Sequence, residues 1–367
     1  MTTSHVDITP IEGLVQILWD RGGTDIHLTA GLPPQIRLDG NLAPVEERAP
    51  IPALELQQMV RAILSDDLWE RLQIEKEVDF SFGWKDLIRF RGNAYHQQGS
   101  VALALRAIPR RIPTAEELLL PPAVSQFCEL SQGLVLITGP TGSGKSTTQA
   151  AMIDWINQRH ARHILTLEDP IEYVHTHKRS MINQREVGID TDTFEQGLRA
   201  ALREDPDVVL VGEMRDPESI QTTLTLAETG HLVFATLHTN DASTALDRIV
   251  DVFPSDRKSQ IRVQLASSLA GVVAQRLVPR VGGGLIAAFE ILQANSATRG
   301  LIRDGKTYQV RNVISQSVRE GMQTLEQSLS VLVAHGLVTY DDAISRAVVP
   351  KEVRGIPAQP PVPAAAG

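Results

Sequence analysis

The hydrophobic and polar positions of the first hundred residues change period several times. Apolar residues recur at helical spacing over residues 10–21, and they alternate with polar residues over 25–30 and 34–40, around a Pro-Pro pair. The same two periods predict more elements downstream, with helices over 52–64 and 66–75 and antiparallel strands over 79–84, 87–96 and 101–108. These patterns predict an N-terminal α+β domain over residues 1–107.

A proline-rich stretch separates this region from one with a different pattern. Residues 108–122 contain four prolines, charged residues and a leucine run, which is typical of an interdomain linker. After residue 132, four runs are apolar on both faces and alternate with helical segments, as buried parallel strands do. The runs are GLVLITG (133–139), HILTLED (163–169), DVVLVGE (207–213) and HLVFATLH (231–238). They predict an α/β fold with a nucleotide-binding core over residues 123–292.

The C-terminal part has a third pattern. Beyond about residue 255 the apolar spacing is mainly helical, and we expect a C-terminal helical region over residues 293–349. The last 18 residues, 350–367, hold five prolines and four alanines with little apolar bulk, so we expect them to form a disordered tail.

Composition and charge narrow the function classes. Hydrophobic residues make up 42% of the 367 residues and charged residues 22%, which is ordinary for a globular protein. The net charge of -9 opposes broad attraction to nucleic acid or anionic lipid, so no nucleic-acid partner is expected. The single cysteine, Cys128, can form no internal disulfide, and no stretch reaches the roughly 18 apolar residues of a membrane span. We therefore expect a cytoplasmic protein that reaches a membrane only through partners.

The segment GPTGSGKST (139–147) carries the clearest chemistry. It follows the first apolar run directly and leads into a predicted helix, which is the setting of the G-x-x-x-x-G-K-[ST] phosphate-binding loop. Its glycines let backbone N–H groups turn toward a β-phosphate, while Lys145 would reach the β- and γ-phosphates and the Ser146 hydroxyl would hold Mg²⁺. The sequence thus predicts ATP and Mg²⁺ as ligands of nine residues: Gly139, Pro140, Thr141, Gly142, Ser143, Gly144, Lys145, Ser146 and Thr147.

Two further strand ends offer carboxylates for hydrolysis. Gly212 stands where the usual Walker B aspartate would be, and we expect the next residue, Glu213, to position or deprotonate the attacking water. The second apolar run ends at Glu168 and Asp169, with Glu172 close behind, and three carboxylates at one edge favour a shared cation. Glu168 is the strongest candidate to hold Mg²⁺ through water. The alternative is that Asp169 or Glu172 caps a short helix.

Two histidines flank the fourth apolar run. His231 and His238 are seven residues apart, so an ideal strand would point them to opposite faces, and the spacing does not suit a zinc site. For each histidine, a hydrogen-bonded structural role is the ordinary expectation. At a sheet edge beside a nucleotide, the alternative is that the histidine senses phosphate or a neighbouring subunit.

Four motifs in this order resemble the PilT family of secretion-superfamily motor ATPases, which retract type IV pili: GPTGSGKST, LEDPIEYV, ALREDPDVVLVGEMRD and AETGHLVFATLHTN. The resemblance extends to DIHLTAGLPPQIRLDG and GMQTLEQSL, and covers nearly the whole chain apart from the tail. It implies a PAS-like N-terminal domain, a RecA-like ATPase core, and catalytic roles for Glu168, Glu213, His231 and His238. It also implies a homo-hexamer at the inner-membrane base of a pilus machine, acting on a platform protein.

The resemblance further implies that the N-terminal domain donates arginines to nucleotide on the adjoining subunit. The matching segments, RFRGNAYHQ and ALRAIP, carry this role to Arg91 and Arg106. The strand pattern is compatible, because Arg89 and Arg91 share one face opposite Phe90, with no obvious carboxylate nearby in the sequence. A solvated strand face is the alternative, chiefly for Arg89.

Two departures from related sequences bear on the direction of movement. Retraction motors of this family carry the segment AIRNLIRE, whereas this chain has ATRGLIRD (297–304), with Thr298, Gly300 and Asp304 at three of the eight positions. The difference leaves open a PilU-like accessory motor that works with a paralogous retraction ATPase. The lone Cys128 excludes the four-cysteine zinc module of pilus-assembly and type II secretion ATPases, which favours retraction over extension.

Two other functions stand as alternatives. A DNA-translocating RecA-type motor shares the expected fold, but the acidic net charge argues against it. A scaffold or regulatory subunit that binds nucleotide without useful turnover belongs to a different class. The intact phosphate loop and Glu213 argue against that function.

Overall fold

The computed structural model describes residues 8–38, 40–85, 88–108, 111–214 and 216–355 of the chain. The chain divides into two compact units, Met1–Arg111 and Ile112–Gly367. The first unit is built on a six-stranded sheet and the second on a seven-stranded sheet. None of the helices within the described ranges is both long and apolar enough to cross a membrane.

The first unit follows the predicted order of helices and strands. Its elements are α1 (Thr9–Asp20), β1 (Asp25–Leu28), β2 (Gln35–Leu38), β3 (Asn41–Pro44), α2 (Ala53–Ile63), α3 (Asp66–Glu75), β4 (Glu77–Trp84), β5 (Ile88–Gln97) and β6 (Ser100–Ile108). The strands pair antiparallel in the order β3-β2-β1-β6-β5-β4. The sequence prediction lacks β3, a short and mostly exposed strand after a tight connection in which Gly40 has a φ of 82°. Asp39 and Leu87, which fall in predicted strands, lie outside the described residues.

Burial in the first unit follows the two periods read from the sequence. Alternate residues of β4 are buried, as the pleat of a strand requires: Val78, Phe80, Phe82 and Trp84. On α2, burial follows helical spacing instead: Leu56, Val60 and Ile63. Both sets belong to one apolar core. Each fully buried side chain of this kind stabilises the fold by roughly 1.5–3 kcal/mol.

The second unit contains the remaining elements. In chain order they are α4 (Pro122–Cys128), β7 (Gly133–Thr138), α5 (Lys145–Arg159), β8 (His163–Glu168), β9 (Met181–Glu186), α6 (Phe194–Ala201), β10 (Val208–Val211), α7 (Pro217–Glu228), β11 (Leu232–Leu237), α8 (Ala242–Asp251), α9 (Lys258–Ser268), β12 (Leu269–Pro279), β13 (Leu285–Gln293), α10 (Ser296–Asp304), α11 (Val310–Gln316), α12 (Leu325–Ala334) and α13 (Tyr340–Arg346). The sheet order is β13-β12-β7-β11-β10-β8-β9. The four strands predicted as parallel and buried are confirmed as β7, β8, β10 and β11.

The central strands are buried on both faces. Every residue of β7, β10 and β11 is buried. Neighbouring residues in one strand belong to different apolar clusters, as Leu136 and Ile137 do, because successive side chains point to opposite faces. This two-sided burial is why the runs are apolar throughout instead of alternating.

The sequence prediction is wrong between residues 269 and 293. The apolar spacing predicts mainly helix in this region, but β12 and β13 form an antiparallel hairpin at the edge of the sheet. VVAQRLV and LIAAFEIL are apolar at most positions, and such runs do not distinguish a buried strand from a buried helix. The local signal for a hairpin is the glycine triplet 282–284, whose residues all have positive φ. The prediction also lacks β9, because MINQRE contains few apolar residues.

The prediction that residues 350–367 are disordered is wrong for the first six, residues 350–355. Pro350–Glu352 form one turn of 3-10 helix, and Val353 is buried in the apolar cluster formed by the C-terminal helices and the β12–β13 hairpin. The Arg354 N–H also donates to the Ser330 hydroxyl at 2.8 Å, so packing and hydrogen bonds together order this short segment. Residues 356–367 of the predicted tail lie outside the described residues.

A buried ionic cluster joins the hairpin to the C-terminal helices. The Glu290 carboxylate on β13 accepts a hydrogen bond of 2.8 Å from the Ala242 N–H at the start of α8. Arg311 on α11 lies 4.0 Å from Glu290 and donates to Glu326 on α12 at 2.9 Å. Burial, assisted by the negative charge of Asp241, raises the pKa of Glu290 to about 7.

The same cluster holds the last described segment of the chain. Glu326 is fully buried, and its Oε1 accepts hydrogen bonds of 2.9 Å from the N–H groups of Val348 and Val349. Arg311 also donates to Glu352 at 2.5 Å. Although burial raises the pKa of Glu326, the hydrogen bonds from Val349 and Arg311 outweigh it and hold that pKa below its ordinary value.

We expect Glu290→Gln to change how stability depends on pH. A carboxyl group whose pKa rises on folding stabilises the folded state below its unfolded pKa, and this contribution is lost as pH rises through the folded pKa of about 7. Glutamine keeps an acceptor for Ala242 and carries no charge. The variant should therefore gain stability relative to the parent protein between about pH 5 and about pH 8. Urea unfolding of both proteins at the two pH values measures the change. If the difference in unfolding free energy between variant and parent is the same at both pH values, the expectation is contradicted.

Candidate nucleotide-binding site

Four strand ends meet at one edge of the second unit's sheet. The strands β7, β11, β10 and β8 are adjacent and parallel, with Thr138 opposite Leu237 and Val211 opposite Leu167. The segments at these ends begin at Gly139, His238, Gly212 and Glu168. They therefore lie side by side at the carboxyl edge, which is where open α/β sheets bind ligands.

The glycine-rich loop connects β7 to α5, so residues 139–147 comprise a loop and the first turn of a helix. Its glycines all have positive φ: Gly139, Gly142 and Gly144. A side chain on Gly139 would collide with the Gln275 carbonyl group and with Ser143. Gln275 is buried on β12, and its side-chain amide donates to the Ser143 carbonyl at 2.5 Å. The loop is thus supported by the neighbouring strand, a contact that the sequence does not signal.

The Lys145 ammonium turns back onto its own loop. Its Nζ donates to the carbonyl oxygens of Gly139 at 2.8 Å and Pro140 at 3.1 Å, and lies 3.5 Å from His238 Nδ1. The residue is only 8% exposed. Burial lowers the pKa of Lys145 below its ordinary value, although the negative charge of Glu213 opposes this shift.

His238 links Lys145 to Glu213. Its Nε2 lies 3.1 Å from Glu213 Oε1, while its Nδ1 faces the lysine. The His238 side chain is 43% exposed and that of Glu213 is 25% exposed, so both remain accessible to solvent. Three groups from three different segments of the sequence thus form one row of contacts beside the loop.

The close packing around Gly212 explains why no aspartate stands at the usual Walker B position. Its N–H donates to the Leu167 carbonyl at 2.8 Å, and a Cβ atom at this position would lie 3.1 Å from that oxygen and 3.2 Å from the Glu168 Cα. A side chain would therefore press the end of β10 against the end of β8. The first position with room for a carboxylate is the next residue, Glu213.

The Glu168 carboxylate, at the end of β8, is held by three donors. Its Oε1 accepts from the Thr166 hydroxyl at 2.7 Å and from Gln184 Nε2 at 3.2 Å, and its Oε2 accepts from the Glu172 N–H at 3.2 Å. Burial raises the pKa of Glu168 above its ordinary range despite these bonds. A cation nearby would favour the charged form, so this carboxylate suits a site that takes Mg²⁺. Across the described ranges, no three or more His, Cys, Asp or Glu side chains could hold a metal ion by themselves.

The helix-capping alternative for Asp169 and Glu172 is wrong. Residues 169–180, all of them described, form no helix. In this segment the Tyr173 hydroxyl lies 2.9 Å from Thr147 Oγ1, so the segment contacts the start of α5. Tyr173 lies within the motif LEDPIEYV, but the carboxylates of that motif alone were predicted to have a role.

His231 lies at the opposite edge of the sheet. It precedes β11, its Nδ1 lies 2.9 Å from the Leu226 carbonyl oxygen, and its own carbonyl accepts from Gly133 N–H at the start of β7. His238 follows the other end of β11, roughly 23 Å away at about 3.3 Å per residue. His231 therefore lies far from the phosphate loop of its own unit, and its contact with the Leu226 carbonyl fits the structural role that is the ordinary expectation. The catalytic role that the family resemblance implies for His231 stays a prediction.

The predicted arginines are cross-strand neighbours in the first unit, with Arg91 on β5 opposite Arg106 on β6. Arg106 donates from Nε to Asp25 Oδ1 at 2.8 Å, and the nearly buried Asp25 also accepts from the Thr24 hydroxyl at 2.7 Å. Burial raises the pKa of Asp25, but the hydrogen bonds from Thr24 and Arg106 bring it below its ordinary value. The side chain of Arg106 stays 71% exposed. The sequence analysis did not single out Asp25.

The segment ATRGLIRD forms a regular helix, α10, in spite of its glycine. Asn295 caps the helix by accepting from the Thr298 N–H at 3.0 Å, and Thr298 is fully buried. Arg299 donates to the Ser267 carbonyl at the end of α9 at 2.8 Å. A Cβ atom on Gly300 would meet no atom within 4 Å. The departures from AIRNLIRE are thus compatible with a folded helix.

A glycine-rich loop between a buried parallel strand and a helix, with a buried lysine and strand-end carboxylates at the same edge, defines a P-loop nucleotide-binding protein of the α/β class. The chain belongs to the family described as Type II/IV secretion system protein, whose sequence profile matches residues 15–285. The resemblance drawn from the motifs is thereby confirmed.

Individual relatives agree over nearly the full length. The type IV pilus retraction ATPase PilT of Pseudomonas aeruginosa is 46% identical over 334 residues, which are 90% of this chain and 96% of the relative. The type IV pilus ATPase PilU of the same species is 38% identical over 344 residues, or 94% of this chain and 90% of the relative. A crystal structure of the pilus retraction motor PilT with bound ADP has a TM-score of 0.88 at 48% identity, covering 93% of this chain and 98% of that chain.

We expect Gly212→Ala and Gly300→Ala to change stability in opposite directions. At Gly212 the added methyl group meets a carbonyl oxygen and a Cα atom of the neighbouring strand, which should cost about 1–3 kcal/mol. At Gly300 it enters open space on a helix, which should gain up to about 1 kcal/mol. Urea unfolding of the two variants beside the parent protein measures both changes. Equal effects would mean that the close approach at Gly212 does not constrain the sheet.

Proposed function

We propose that this chain is an ATP-driven motor that retracts type IV pili as a homo-hexameric ring. The row formed by Lys145, His238 and Glu213 beside the phosphate loop is the observation that carries the enzymatic part. The relatives named for pilus retraction support the biological part. In this proposal the ring works in the cytoplasm at the inner-membrane base of the pilus, against a membrane platform protein.

The phosphate loop, residues 139–147, binds the ATP phosphates. Lys145 exchanges its hydrogen bonds with the carbonyls of Gly139 and Pro140 for the β- and γ-phosphate oxygens, so a charge that is already buried gains an anionic partner. Ser146 and, through water, Glu168 would hold Mg²⁺. When bound, the ion would supply positive charge that offsets the negative charge of the phosphates.

Glu213 orients the attacking water or removes its proton. His238 donates to Glu213 from one ring nitrogen and faces Lys145 with the other, so it connects the group that acts on water with the group that contacts phosphate. Loss of the γ-phosphate changes the partners of Lys145, and His238 passes that change to Glu213. His238 is therefore the residue we assign to phosphate sensing.

Arg91 and Arg106 complete the site of the neighbouring subunit. Both side chains are exposed on one sheet face of the first unit, and Asp25 fixes one of them. An arginine from a neighbour stabilises transition-state charge that the phosphate loop alone does not reach. In this division of labour, residues 1–107 form the PAS-like donor domain, 108–122 the linker, 123–292 the RecA-like ATPase core and 293–349 the C-terminal helical region.

A PilU-like accessory motor is the second candidate. The observation in its favour is ATRGLIRD at 297–304, which departs from the segment AIRNLIRE at Thr298, Gly300 and Asp304. In that case the chain would act together with a paralogous retraction ATPase. The relative named PilU is less similar than the one named PilT, at 38% against 46% identity.

Turnover of the full-length chain tests the enzymatic proposal. Release of phosphate from Mg·ATP should fall by about 100-fold or more in Lys145→Ala and Glu213→Gln, because each removes a group that acts in the transition state. Lys351→Ala and Glu70→Gln are matched controls at exposed positions outside the site, and should keep the parent rate. Equal rates in the parent protein and both site variants would sink the proposal that this chain is an ATPase.

Deletion of the gene, followed by microscopy of labelled pili, tests the direction of movement. Loss of a retraction motor should leave long surface pili that do not shorten. Retraction that continues at near-normal frequency would favour the accessory function, whereas loss of all pili would point to assembly. Expression of the parent chain should restore retraction, and expression of Lys145→Ala should not.

A further inference from the structure

Two neutral side chains on adjacent strands meet at one oxygen of Glu168. Thr166 on β8 and Gln184 on β9 are paired across the parallel ladder. The Thr166 hydroxyl donates to Glu168 Oε1 at 2.7 Å and Gln184 Nε2 donates to the same atom at 3.2 Å. Thr166 is fully buried and Gln184 is partly buried.

The hydrogen bonds distinguish the two oxygens of this carboxylate. A carboxylate oxygen has two lone-pair directions, and the two donors match that number at Oε1. Oε2 receives one of the described bonds, from the Glu172 N–H at 3.2 Å. One lone pair of Oε2 therefore remains for a further donor, such as a water molecule bound to a metal ion.

Gln184 is itself fixed by the segment that follows β8. Its Nε2 also donates to the Tyr173 carbonyl at 2.8 Å, and its Oε1 accepts from the His175 N–H at 2.8 Å. Tyr173 in turn places its hydroxyl 2.9 Å from Thr147 Oγ1 at the start of α5. The Gln184 amide is thus held at three points, and the segment that it holds touches the phosphate loop.

We propose that Thr166 and Gln184 are positioning residues that orient Glu168, by engaging Oε1 and leaving Oε2 to accept a hydrogen bond from metal-bound water. The inference rests on the proposed role of Glu168 toward Mg²⁺ and adds two residues that the phosphate loop and strand-end motifs do not contain. Neither residue contacts nucleotide in this assignment. Both act by restricting rotation of the Glu168 carboxylate.

Magnesium-dependent ADP binding to the full-length chain tests this proposal. The variants Thr166→Val and Gln184→Met keep the side-chain size. The first removes one hydrogen bond to Glu168, and the second removes the other one together with the bonds of Gln184 to Tyr173 and His175. Calorimetric titration of ADP at increasing MgCl₂ should show the Mg²⁺ concentration for half-maximal enhancement of ADP affinity rising by about tenfold in each, as for other residues that orient a metal ligand. ADP affinity without Mg²⁺ should stay at the parent value in Thr166→Val, because this variant leaves the phosphate loop and the Tyr173 segment unchanged.

Two more variants separate orientation from general loss of packing. Thr166→Ser keeps the hydroxyl donor and should restore the parent Mg²⁺ dependence. Thr223→Val removes another buried hydroxyl, which donates to the Ser219 carbonyl on α7, and should leave that dependence unchanged. The double variant of Thr166 and Gln184 should show less than the product of the two single effects, because both donors restrain one carboxylate.

Several outcomes would overturn the inference. The inference fails if the Mg²⁺ dependence is unchanged in both Thr166→Val and Gln184→Met. It also fails if Thr223→Val shifts the Mg²⁺ dependence as much as Thr166→Val does. A third contrary result is a loss of ADP affinity without Mg²⁺ in Thr166→Val that equals its loss with Mg²⁺. Glu168→Gln distinguishes this failure from failure of the proposed function. If Glu168→Gln shifts the Mg²⁺ dependence while the other two variants do not, only the positioning role fails. If Glu168→Gln has no effect, the metal role of Glu168 fails and the positioning role with it.

Discussion

In-register parallel pairing of β7, β11, β10 and β8 decides where every candidate group of the second unit lies. The pairing of Leu237 with Thr138, and of Val211 with Leu167, brings the segments after four strands to one edge. A slip of one residue in β10 would move its side chains to the opposite apolar cluster and turn the following carboxylate away from the loop. The site therefore depends on the register of these core strands for its geometry.

The fully buried Glu326 and the partly buried Glu168 have three donors each, and the two carboxylates differ in the charge of those donors. Glu326 has the Arg311 guanidinium as one of its donors, and its pKa is lowered. Glu168 has only neutral donors among its described bonds, from Thr166, Gln184 and a backbone N–H, and its pKa is raised. The first charge is balanced within the chain, whereas the second would be favoured by a cation that bound nearby, as in the proposed function.

The sequence predicts those parts of the fold that have a strong period or a fixed local pattern. The glycine-rich loop, the four buried strands and the first unit's order of elements are all of this kind. Short or polar strands such as β3 and β9 have little apolar content to reveal them, and the β12–β13 hairpin has an apolar run that fits a helix equally well. The pattern of residues along the chain also does not predict contacts between segments that are distant in sequence. Gln184 and Gln275 reach the site from strands that carry no motif, and Asp25 meets Arg106 only once the sheet has formed.

Histidines at the two ends of one strand illustrate a related limit. An interval of seven residues predicts opposite faces of an ideal strand, but it does not by itself show that His231 and His238 lie at opposite edges of the sheet. Spacing identifies neighbours only after the type of element is known, because the rise per residue in a strand is about twice that in a helix.

The attachment of Val348 and Val349 to Glu326 has a practical consequence for handling the protein. A proteolytic cut before Val348 would leave the fully buried Glu326 carboxylate without two of its backbone donors. An unsatisfied charged group at such a depth destabilises the helix that carries it, so α12 would loosen although the cut lies fourteen residues beyond its end. Affinity tags and fluorescent fusions on this chain therefore belong after residue 355, where they spare this attachment.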